Sequence, residues 1–81
     1  MTNQELKEKM VELKYAIIDC ENRLIIKKSE EEKYEALLFL LDEDIEKKWE
    51  DTQSEVRWLK TEINVYKRMM DELLDEYNLE K

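Results

Sequence analysis

The sequence predicts an all-α fold, an antiparallel three-helix bundle, from three observations. The 81-residue chain contains no glycine and no proline, so it lacks the residues that build tight β-hairpin turns and phosphate-cradling loops. Its large apolar residues recur at spacings of three and four, the period of an amphipathic helix. A hydroxyl residue followed three positions later by Glu occurs at Thr2 with Glu5, Ser29 with Glu32 and Thr52 with Glu55. That spacing is the capping box, in which the hydroxyl accepts from a first-turn N–H and the Glu reaches back to the cap. The boxes divide a single expected domain, 1–81, into helices at about 3–28, 30–50 and 53–79.

In the first segment Leu6, Met10, Leu13, Ile17, Cys20 and Leu24 form one stripe, and Val11, Ile18 and Ile25 a second row about 100° away. Two rows ask for two neighbours. Lys27 and Lys28 before Ser29, and Glu30 to Glu32 after it, suit a helix C-terminus followed by an N-terminus. In the second segment Tyr34, Leu38, Leu41 and Ile45 make the stripe, Leu37 broadens it, and Phe39 and Leu40 turn to the opposite side. The third carries Val56, Leu59, Ile63, Tyr66, Met70, Leu73 and Tyr77, widened by Trp58, Val65 and Met69. The boundary at Thr52 is the softer one, because no residue there forbids a continuous helix. The alternative is therefore a helical hairpin with one long C-terminal helix, from about residue 30 to 79, dimerising into a four-helix assembly.

Charge is distributed unevenly. The net −8 divides into +1 over residues 1–28 (six basic, five acidic), −7 over 29–52 (three and ten) and −2 over 53–81 (five and seven). Direct nucleic-acid binding is disfavoured, because phosphate contacts need clustered Lys and Arg and here bases and acids are interleaved. With no His and a single Cys, a zinc finger, a His-bearing di-iron site and a Ser-His-Asp triad are excluded, and no cofactor or metal site is expected. The longest apolar run, Ala36 to Leu41, is far short of the roughly 20 residues that cross a bilayer. We expect a cytoplasmic protein, in the host cytoplasm if phage-encoded. Cys20 is expected to be a core residue.

The candidate partner-binding surface is Phe39 and Leu40 with the acids Glu35, Asp42, Glu43 and Glu46 around them. Trp49 and Trp58 bracket the second expected turn, where a Trp either closes the end of the core or anchors an interface. These features predict a non-enzymatic, self-associating helical module, a homodimer or higher oligomer, that binds and regulates or inhibits another macromolecule. One form of that reading is an acidic mimic of nucleic acid, of phage or mobile-element type, that occupies the groove of a basic nucleic-acid-binding protein. A structural or assembly component is a further alternative.

Glu32 with Glu35, and Glu72 with Asp75, place two acids one turn apart on each of two helices, a spacing that can hold Mg²⁺. Over these four residues the chain resembles the all-helical, MazG-like nucleotide pyrophosphohydrolases. It departs from them in a longer gap between the pairs and a shorter chain. The resemblance implies an Mg²⁺-dependent nucleotide hydrolase that holds metal and triphosphate between helices, the enzymatic alternative.

Overall fold

A computed structural model describes residues 2–80, with side chains as far as Tyr77. Helix α1 spans Asn3–Leu37, a 3₁₀ turn Leu38–Leu40, and helix α2 Glu43–Glu80. The two helices pack antiparallel into a rod of 60 × 15 × 14 Å. All-α is therefore correct among the described residues; the three-helix division is not observed, and the alternative of a hairpin with one long C-terminal helix holds with that helix starting at Glu43 rather than at about residue 30.

The hydroxyl half of the first box forms as expected. Thr2 Oγ1 accepts from the Glu5 N–H at 3.2 Å, and the Thr2 carbonyl accepts from the Leu6 N–H at 3.0 Å. The other two boxes lie inside helices. At Thr52 the hydroxyl donates to the Lys48 carbonyl one turn back, at 2.7 Å, instead of accepting from the next turn. The side chain is only 5% exposed and takes a place in the stripe that runs on through Val56, Leu59 and Ile63. At Ser29 the helix is carried through by Lys27, whose Nζ reaches Glu30 one turn on at 3.3 Å and Glu55 across the interface at 2.8 Å. Capping geometry is one option for these residues, and continuous packing against the other helix outweighs it.

The chain reverses instead at residues 38–42. Leu38 donates its N–H to the Glu35 carbonyl, and the Leu41 N–H reaches the Leu38 carbonyl at 3.1 Å. Leu41 then adopts a left-handed conformation, φ 56° and ψ 31°. Asp42 starts α2, with its Oδ1 accepting from the Asp44 N–H at 2.9 Å and its carbonyl from the Glu46 N–H at 3.0 Å. Glu43, Asp44 and Glu46 occupy the first turn of α2, where the positive end of the helix dipole favours acids.

The core is a single seam. Leu6, Ile17 and Cys20 of α1 and Val56, Leu59 and Ile63 of α2 are buried. Ile17, Cys20, Leu59 and Ile63 form one cluster, flanked by Leu24, Tyr66 and Met70. The second rows remain outside it. Val11, Ile18 and Ile25 of α1, and Trp58, Val65 and Met69 of α2, are exposed, as are Tyr15 and Ile26. One helix in a two-helix hairpin has one neighbour, so a single stripe on each is all that the fold covers.

Candidate functional site

Six of the eight candidate residues gather at the closed end of the hairpin. Phe39 is 75% exposed and Leu40 53%. Glu35 lies in the last turn of α1, and Asp42, Glu43 and Glu46 in the cap and first turn of α2. The acids assigned by sequence to a middle helix thus become a collar. Residues 30–46 hold eight acids, Glu30 to Glu32, Glu35, Asp42 to Asp44 and Glu46, against Lys33 alone. Asp42, Glu43 and Glu46 have a structural use, since they start α2. Glu35 has none of that kind: the last turn of α1 holds no base, and an acid at that end opposes the helix dipole.

Trp49 and Trp58 do not join this group. Trp49 is half-buried about two turns into α2, and its enclosed Nε1–H has no hydrogen-bond partner. Trp58 is exposed on the flank of the rod, lining a shallow groove with Arg23, Ile26, Lys27, Glu55 and Leu59.

Sequence reasoning missed Leu41, which it placed in the core stripe. Leu41 is 89% exposed, the most exposed large apolar residue of the described chain, and it is the one non-glycine residue there with positive φ. A left-handed residue with a Cβ costs about 1–2 kcal/mol, and a leucine in water gains nothing from packing to offset it. The available signal was Asp42 followed by Glu43, Asp44 and Glu46, an N-cap with an acidic first turn. Leu41→Gly is therefore expected to stabilise the hairpin by about 0.5–1 kcal/mol, because glycine adopts this conformation without the steric penalty. A higher urea midpoint in circular dichroism checks it, and an equal or lower one contradicts it.

Of the two acid pairs of the enzymatic alternative, Glu32 and Glu35 line one depression and Glu72 another. Glu32 and Glu35 face Gln53, Arg57 and Lys60 near the closed end. Glu72 faces Lys9, Glu12 and Ala16 near the open end. Antiparallel packing separates pairs that a different chain reversal would have brought together. Among the described residues no group of three or more Cys, Asp or Glu is arranged to hold a metal ion, and no helix is long and apolar enough to cross a membrane.

Three groups hold their protons more tightly than usual. Burial, then Asp19 and Glu62, pushes the Cys20 thiol up. Hydrogen bonds to Glu55 and Glu30 hold the Lys27 ammonium above the ordinary lysine range. Hydrogen bonding to Glu62 raises Tyr66. All three have the same sign: the unfolded chain releases these protons at lower pH than the folded one. Their contribution is complete below the ordinary thiol value near 9 and is lost as pH rises through the higher folded values. Urea midpoints should therefore hold steady up to about pH 9 and fall as the pH is raised further. A flat profile would refute this.

Comparison with protein-family models, curated proteins and solved structures gives no match to this chain, so its own geometry carries the functional reading.

Proposed function

We propose that the protein is a non-enzymatic, self-associating helical module that binds another protein through the closed end of its hairpin and regulates or inhibits it. One observation carries the reading: Phe39, Leu40 and Leu41 stand in water together, the last in an unfavourable backbone conformation. Strain of this kind clusters at functional sites, where it is held by the surrounding structure. A turn selected for stability alone would place glycine or asparagine at Leu41 and polar residues beside it. The rod supports the reading by acting as a stalk that presents three apolar side chains beyond either helix.

The acidic collar describes the partner. An apolar wedge ringed by carboxylates fits a hydrophobic cleft with a basic rim, and the groove of a basic nucleic-acid-binding protein has that character. Bound there, the collar would take the place of phosphates. The absence of a basic cluster around the wedge argues against nucleic acid as the direct ligand. A cytoplasmic setting, or host cytoplasm for a phage-encoded chain, belongs to the same proposal.

Phe39→Asp with Leu40→Asp should leave the helical circular dichroism unchanged, because both side chains are exposed. Binding to proteins captured from the native host should weaken by roughly 30-fold or more, the loss expected for two interface anchors. Phe39→Ser with Leu40→Ser should behave alike, which separates lost contact from added charge. Equal capture by wild type and both variants would end this reading.

A further inference from the structure

The hairpin exposes 6454 Å², whereas a compact protein of its 10.0 kDa exposes roughly 5,200 Å². The excess of about 1,200 Å² exceeds the roughly 800 Å² that each partner contributes to a stable interface. Two faces flank the core seam, and they differ in what they offer.

On one face, two grooves are lined by residues that correspond at an offset of 14. Lys9, Glu12 and Leu13 of the first match Arg23, Ile26 and Lys27 of the second. On α2, Met69, Glu72 and Leu73 match Glu55, Trp58 and Leu59. Fourteen residues are about four helical turns, so both grooves belong to one continuous face. Ala16 leaves a hollow between Leu13, Met69 and Leu73, and the exposed Ile26, Trp58, Val65 and Met69 project along it. The opposite face has exposed apolar residues on α1, but α2 contributes Gln53, Arg57, Lys60, Asn64 and Lys67 there. On α2 the first face carries the larger apolar surface, Trp58, Val65 and Met69 against Leu74 on the other.

Charge on that face fixes the orientation of an occupant. Its α2 side carries Glu55, Glu62, Glu72 and Glu76, and no Lys or Arg of α2 lines either groove. Its α1 edge carries Lys9, Arg23 and Lys27 against Glu12 and Asp19. Within one copy Arg23 is paired with Asp19 at 3.2 Å and Lys27 with Glu55 of α2 at 2.8 Å, so Lys9 is the base left to meet the acids of a second copy. We propose that a second copy of the chain docks on this face about a two-fold axis parallel to the rod, so that α1 of each copy lies against α2 of the other. Lys9 of one copy then lies at the level of Glu72 of the other, and Met69 enters the hollow over Ala16. The opposite orientation, with the hairpins pointing in opposite directions, sets the acidic α2 edges against each other. The parallel arrangement brings both closed ends to the same end of a four-helix bundle, where they form a paired wedge. This rests on the self-association proposed above and adds to it the face and the direction.

Sedimentation equilibrium should give twice the 10.0 kDa chain mass for the wild type. Ala16→Glu with Val65→Glu should raise the dimer dissociation constant about tenfold or more, while Ile18→Glu with Ile25→Glu on the other face leaves it unchanged. Independently of either variant's folding, a nitroxide at Asp44→Cys in a Cys20→Ala background reports direction by pulsed electron resonance. Closed ends together give a spacing below about 30 Å, from helix separations of 8–10 Å. Opposed ends give roughly 50 Å in a rod of 60 Å. A monomeric wild type overturns both self-association and this inference. A dimer with the long spacing, or one disrupted only by the Ile18 and Ile25 variant, overturns this inference alone.

Discussion

Ser29→Pro is expected to cost about 3 kcal/mol or more, and Ser54→Pro a similar amount. Both serines are exposed, so neither substitution removes a packed side chain. Each lies inside a continuous helix, α1 or α2; Ser29 is the hydroxyl of one pair with capping-box spacing and Ser54 lies within another, Thr52 with Glu55. A proline there removes one backbone hydrogen bond, and its ring meets the carbonyl four residues back. In a three-helix bundle the same substitutions would fall at inter-helix turns or in a first helical turn, where proline is tolerated. The two architectures thus predict opposite outcomes from one melt. Near-wild-type urea midpoints for both variants would restore the turns at 29 and 52. A lowered midpoint, with part of the helical signal lost, is the expected result.

Leu59→Ala should destabilise the protein by about 3 kcal/mol, within the range for truncating a buried leucine. Leu59 is 4% exposed and packs in the cluster with Ile17, Cys20 and Ile63. The core is one seam between two helices, so no second layer can move in to fill the space. The unfolded chain of 10.0 kDa exposes roughly 14,500 Å², and the hairpin's 6454 Å² means that about 55% is buried on folding, below the fraction a compact domain of this size achieves. A loss of this size therefore takes a large part of the total stability. Chemical denaturation measures it, and a change under about 1 kcal/mol would show that the seam is not the source of stability.

Much of the fold was legible in particular residues. The stripe from Leu6 to Leu24 and the run from Val56 to Tyr77 were read with the correct period, and Thr2 was read as the first cap. The exposed position of Leu40 followed from the same helical geometry. The boundaries were not legible, because a hydroxyl three residues before a glutamate has two satisfied states. It can cap a new helix, or it can bond back to the previous turn as Thr52 does. The sequence does not hold the energy difference between them, which depends on what the opposite helix presents.

The candidate surface was legible in composition and misplaced in context. Phe39 and Leu40 were identified as facing away from a stripe, and Glu35, Asp42, Glu43 and Glu46 as their neighbours. In a middle helix they would have formed a flank. The reversal at Leu41 makes them an end, and exposes a third apolar residue that periodicity had assigned to the core.

Lack of glycine, proline and histidine, the three-four spacing and the local acidity by themselves determined an all-helical chain without the residues of the common catalytic and zinc sites. These are properties of residue type and period, which no packing arrangement changes. Where the chain turns, and hence which residues share an end, was decided only in three dimensions. Two long helices can align Ile17 and Cys20 with Leu59 and Ile63 only if the reversal lies midway between them. That alignment requires a turn at 38–42, with no glycine to ease it, and it leaves Phe39, Leu40 and Leu41 in water.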